Sequence, residues 1–135
     1  LGAGASISSG VPSAWNCLWQ WKRSIFLTKN HGLDPQFQDL SLASVKQRIQ
    51  DWLDSERKYP AVDASEEYSF YCEECYPIPD DRRQYFEELA KNKQPYIGYR
   101  LLCLLAEADI INSVWTTNFD GLTVKAATQT GIVPI

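Results

Sequence analysis

The run Gly2-Ala3-Gly4-Ala5-Ser6-Ile7-Ser8-Ser9-Gly10, with Pro12 just beyond it, constrains this chain more than any other feature. Small residues leave room for close backbone approach, and proline suits the first turn of a helix. The run therefore predicts a loop feeding a helix over residues 12–28. Glycines without Cβ let backbone N–H groups approach a pyrophosphate, and the positive end of the following helix favours an anion. Gly2, Ala3 and Gly4 are the candidates for such a contact. As the ordinary dinucleotide fingerprint GxGxxG the fit is poor, because Ile7 stands where the third glycine belongs and no acidic residue follows about 20 positions on. That disfavours a plain dehydrogenase, and a turn that merely caps the helix stays open.

Further helices are predicted from apolar spacing. In the first, Trp15, Leu18, Trp19, Ile25 and Phe26 recur at helical intervals, with Lys22, Arg23 and Lys29 toward the end where cations suit the dipole. Ser41 is placed to cap a second helix carrying Leu42, Val45, Ile49 and Trp52. A short aromatic helix follows with Tyr68, Tyr71 and Cys75 on one side, then another with Tyr85, Phe86 and Leu89 inward. Pro95 opens a helix through Leu101, Leu102, Cys103, Leu104 and Leu105, apolar on most sides and expected to be buried against a sheet. Residues 110–117, rich in Ile, Val, Trp and Thr, read as a strand and 118–121 as its exit loop, followed by a short helix over 123–130 and a strand over 132–135. The expected fold is α/β, with parallel strands joined by helices in a Rossmann-like sheet and a helical layer inserted at about residues 30–95. One domain over 1–135 is expected, cut from a longer protein at both ends.

Composition narrows the partners. Lys and Arg number 13 against 17 Asp and Glu, a net charge of −4, which offers no broad cationic surface to a nucleic acid backbone. The acidic residues gather between Asp51 and Glu88. Four irregularly spaced cysteines without a signal-like apolar segment fit a reducing cytosol, so a cytoplasmic protein is expected. The apolar run at 101–106 is far short of the roughly 20 residues that span a bilayer. Cys72-Glu73-Glu74-Cys75 is a lone CxxC whose glutamates disfavour a reactive thiolate, and a structural zinc site needs four ligands, so no metal is expected. His31 reads as a solvated loop residue, and the Trp15, Trp19 and Trp21 cluster as core or, less simply, as an adenine platform.

A second constellation lies at Thr116-Thr117-Asn118-Phe119-Asp120, on the predicted strand exit. Alone, Asn118 and Asp120 are ordinary turn residues. In order along the chain, however, residues 2–12 resemble the sirtuin family's first motif, GAGxSxxxGIP, and residues 116–120 resemble its second, TQNID, with two substitutions. The resemblance implies NAD as ligand, with Gly2, Ala3, Gly4, Ser6, Thr116, Thr117, Asn118 and Asp120 around it. It also implies that Ser6 and Asn118 order water or ribose hydroxyls and that Asp120 recognises the nicotinamide carboxamide. These three are the candidate catalytic residues. Nicotinamide leaves a positively charged ring as a neutral molecule, so positioning matters more than a general acid.

The match departs where deacylases of the family continue with Phe and Arg, since Ala14 and Trp15 stand there, and where Thr117 replaces Gln. No His follows His31 in place of the family's catalytic histidine. The missing His decides for neither reading, but the altered Phe, Arg and Gln positions shift the expectation from protein deacylation to an NAD hydrolase, similar to the sirtuin-like effector domains of bacterial antiviral defence proteins. Such an effector implies a sensor partner or further domains and homo-oligomer formation. A protein deacylase and a non-catalytic module that binds NAD or ADP-ribose remain the alternatives.

Overall fold

The structure, a computed structural model, describes residues 1–132. Regular structure among them is helical: α1 (Ala14–Lys29), α2 (Ala43–Glu56), α3 (Glu67–Cys75), α4 (Pro79–Ala90), α5 (Ile97–Glu107) and α6 (Leu122–Thr130), with 3-10 helices at Ala3–Ser9 and Asp34–Phe37. This overturns the expected Rossmann-like parallel sheet. Residues 110–117 form no strand, although Leu1 N donates to Trp115 O at 2.6 Å and Thr117 N donates to Leu1 O at 3.3 Å. That exchange is the bonding of one parallel pair. It goes no further because Gly2 O turns inward to accept from Ala5 N at 3.0 Å, starting the 3-10 helix. Strand propensity describes a fit to a pleated, half-buried surface, and Ile110 and Trp115, 67% and 84% exposed, have no such surface. The strand expected over 132–135 lies, beyond Ile132, outside the described residues.

The chain divides into two compact units, Ala14–Arg82 and Leu1–Ser13 with Arg83–Ile135. In the unit Ala14–Arg82, α1 packs on α2 and α3. The buried positions Leu18, Lys22 and Ile25 on α1 and Val45, Ile49 and Leu53 on α2 follow steps of three and four, which set one stripe of each helix inward. Aromatic rings fill the space between: Phe26 meets Phe37 at 4.6 Å and Trp52 at 5.4 Å, while Trp21 meets Tyr68 at 4.9 Å. Trp19 and Trp21 are core, whereas Trp15 is exposed and touches Trp19 edge-on at 5.8 Å. The expected cap of α2 also differs. Ser41 bonds the Asp39 carboxylate through its N at 2.8 Å and its Oγ at 2.6 Å, holding that carboxyl below its usual range, and Leu42 occupies the cap position without a side-chain bond.

Lys22, expected as a cation at a helix end, is instead wholly buried. It occupies the inward position between Leu18 and Ile25, and it is paired with Glu67 and bonded to Gln50 Oε1 at 2.8 Å. Its ammonium lies 5.2 Å from the Tyr71 ring centre. The Tyr71 hydroxyl is buried without a hydrogen-bond partner among the described residues, and burial drives its pKa well up. A buried unpaired hydroxyl costs free energy that phenylalanine avoids while keeping the ring beside the cation. Tyr71→Phe is therefore expected to stabilise the chain by about 1 kcal/mol in urea denaturation, where a loss would mean that the hydroxyl is satisfied.

Cys72 and Cys75 take their places on α3, the first buried and the second half-buried, and none of the four cysteines is in a disulfide. Burial, aided by Cys72 and Glu74, pushes the Cys75 thiol up to about 11. The thiolate is the reactive form, so about one Cys75 in a thousand is reactive at pH 8. Its alkylation by iodoacetamide, followed by mass spectrometry, is expected to rise about tenfold per pH unit until near pH 11. Levelling near pH 8.5 would contradict the burial account.

In the other unit, Val11, Tyr99, Cys103, Leu122, Ala126 and Ala127 form a core in which α5 meets α6, with Ile132 against it. The expectation that α5 is buried on most sides is not met. Tyr99 and Cys103 face inward, but Leu101 and Leu104 are 52% and 53% exposed. Without a sheet, α5 packs mainly on α6, and one helix covers one stripe. Among the described residues no helix is long and apolar enough to cross a membrane.

Candidate functional site

The two motif segments meet in the unit formed by Leu1–Ser13 and Arg83–Ile135. The glycine run is not an open loop but the 3-10 helix Ala3–Ser9, closed by Gly10 in the left-handed conformation at φ 83°, where Gly10 N donates to Ile7 O and Val11 N to Ser6 O. Gly2 and Gly4 have open space where a Cβ would stand. The turn buries Ser6 while leaving Gly2, Gly4, Ala5 and Ile7 exposed.

The segment after Thr117 is shaped by its own side chains. Asn118 N donates to Thr116 Oγ1 at 3.0 Å, and Leu122 N donates to Asp120 Oδ1 at 3.0 Å. Gly121, at φ 64°, supplies the left-handed residue between Asp120 and the first turn of α6, a conformation a side chain resists. Phe119 is exposed on one side and rests on Phe86 at 4.8 Å on the other. Thr116 and Thr117 are exposed.

Ser6, Asn118 and Asp120 converge. Asn118 Nδ2 donates to Gly2 O at 3.0 Å and to Ser6 Oγ at 3.1 Å, while Ser6 Oγ donates to Asp120 Oδ2. The Gly2 carbonyl is only an acceptor, so the Asn118 atom beside it is the NH2 group and both its protons are committed. Asn118 Oδ1 is left as an acceptor without a hydrogen-bond partner among the described residues. Thr116 is linked through the Asn118 backbone, and Thr117 through Leu1 O. Neither threonine side chain bonds Ser6 or Asp120. The backbone of Ala3 lies in the 3-10 helix.

Sequence reasoning missed Tyr99. Its hydroxyl lies 2.7 Å from Ser6 Oγ, buried on the α5 stripe four residues before Cys103. A tyrosine on the inward stripe of an apolar helix carries a hydroxyl that needs a partner, and that was the available signal.

Other candidate features lie apart from this cluster. A cavity of about 580 Å³ in the same unit is lined by Leu102, Trp115, Val124 and Thr116 among others, and Thr116 is its only member from the two motifs. His31 is exposed in the unit Ala14–Arg82, in an open pocket with Arg23 and Asp34. Among the described residues no group of His, Cys, Asp or Glu is arranged to hold a metal ion. Comparison with known proteins gives no match, either to a family model or to a curated protein.

Proposed function

We propose that this chain carries the nucleotide-cleaving site of an NAD hydrolase, resembling the sirtuin-like effectors in its two motifs rather than through a sheet. The observation that carries the reading is the convergence of Ser6, Asn118 and Asp120, residues 112 and 114 positions apart, on one hydrogen-bonded cluster. Motif residues of unrelated turns have no reason to meet.

In this reading NAD lies across the Gly2-Ala3-Gly4 backbone, at the exposed Gly2 and Gly4, with its nicotinamide ribose at Asn118. Asn118 Oδ1 accepts a hydrogen bond from a water and holds it at the anomeric carbon. The carbon–nitrogen bond breaks with its electrons going to nicotinamide, which leaves neutral. Water oxygen bonds to the anomeric carbon and its surplus proton passes to solvent, giving ADP-ribose. Asp120 retains lone pairs beyond those used by Leu122 N and Ser6, and these accept the nicotinamide carboxamide N–H. The activity then belongs to the effector segment of a larger bacterial defence protein, governed by a sensor domain or partner and by homo-oligomer formation.

The test is nicotinamide release from NAD, followed by chromatography with ADP-ribose as co-product. Asn118→Ala is expected to abolish it. Unchanged turnover in that variant overturns the reading.

A further inference from the structure

We infer that Tyr99 is a positioning residue for Asn118, acting through the Ser6 hydroxyl. The argument is one of proton counting. Ser6 Oγ has one proton and two acceptor lone pairs, and it has three neighbours: Asp120 Oδ2, Asn118 Nδ2 and the Tyr99 hydroxyl. Ser6 Oγ donates to Asp120 Oδ2, so its one proton goes there. Asn118 Nδ2 only donates, and it fills one lone pair. Tyr99 must therefore donate into the other, at 2.7 Å.

The hydroxyl of Ser6 is thus held in one orientation by three partners. Its direction fixes the second Asn118 N–H, while Gly2 O fixes the first at 3.0 Å. With both protons committed, the carboxamide is held against turning over. Removing the Tyr99 hydroxyl leaves a buried Ser6 lone pair empty and takes away one of the three restraints on the serine hydroxyl. The Ser6 anchor of the Asn118 amide is then held less firmly. Tyr99 touches no reacting atom in this arrangement; it bonds Ser6, and Ser6 with its own partners Asn118 and Asp120 belongs to the two motif segments.

The kinetic part rests on the NAD hydrolase reading, and the structural part does not. Tyr99→Phe in the full chain is compared with Cys103→Ala, which thins the same buried stripe of α5 one turn on without touching the network. Tyr99→Phe is expected to lower kcat for nicotinamide release about tenfold, the effect of one hydrogen bond, with KM within about twofold of the parent. Cys103→Ala is expected to lower the melting temperature but leave kcat unchanged. In parallel, NMR hydrogen exchange of the Asn118 side-chain amide reads the anchor itself. Its proton toward Ser6 is expected to exchange faster in Tyr99→Phe and as in the parent in Cys103→Ala. Equal kcat in Tyr99→Phe and parent, or equal losses in both variants, overturns the inference. If the parent releases no nicotinamide, the hydrolase reading fails by itself and the amide exchange decides Tyr99: an unchanged Asn118 amide in Tyr99→Phe overturns its role, and a selective change supports it.

Discussion

Glu67→Leu is expected to destabilise the chain by about 3–5 kcal/mol, the cost of leaving one member of a buried ion pair alone. Lys22 and Glu67 side chains are 1% and 5% exposed, so water cannot replace the lost carboxylate. What remains around the ammonium is Gln50 Oε1 at 2.8 Å and the faces of Trp19 and Tyr71 at 4.8 and 5.2 Å. A cation over a ring contributes about 0.5–2 kcal/mol, too little to replace the carboxylate. The loss also removes the anchor of the preceding turn, since Glu67 Oε2 accepts from Asp63 N at 3.0 Å. The double replacement Lys22→Met with Glu67→Leu is expected to recover most of the loss, because a well-packed apolar pair avoids the desolvation that both charges suffer. Urea denaturation of the single and double variants measures both quantities. A single-variant loss below about 1 kcal/mol, the range of an exposed pair, would show that water reaches the site.

Asn118→Asp is expected to lower nicotinamide release by about 10²- to 10³-fold, the range for losing a fixed polar group at a reacting centre. The side chains are nearly the same size, so the effect isolates hydrogen-bond direction. A carboxylate cannot donate to Gly2 O or to Ser6 Oγ, and the single Ser6 proton already serves Asp120. Two carboxylates then compete for one hydroxyl, and like charge raises the pKa of the introduced group. Its neutral form regains one donor, so activity relative to the parent is expected to recover as pH falls below that raised pKa. Rate–pH profiles of both proteins check this. A variant defect that deepens on acidification would contradict the assignment of Asn118 as donor to Gly2 and Ser6.

Ser6, Asn118 and Asp120 stood out as a set only through the resemblance of residues 2–12 and 116–120 to the two sirtuin motifs, since the local chemistry of each segment gives no more than a turn. Their mutual contacts were not legible, because a pair 114 residues apart leaves no periodic trace. Lys22 shows the limit from the other side. Its place between Leu18 and Ile25 on the inward stripe of α1 was readable, but its burial depends on Glu67 and Gln50 arriving from α3 and α2.

The sequence by itself determined where helices form, because apolar spacing, proline and the chain's turn residues act within a few positions. It also placed a short helix over 123–130, close to α6, but read residues 2–10 as a loop where the chain forms the 3-10 helix Ala3–Ser9. Only the tertiary structure decided the rest. The Val- and Ile-rich stretch at 110–117 remained without a sheet, because strand propensity needs a partner and Leu1 supplies a single pair. The carboxamide of Asn118 acquired a direction, because Gly2 O accepts one of its protons while Tyr99 and Asp120 fill the remaining positions on Ser6.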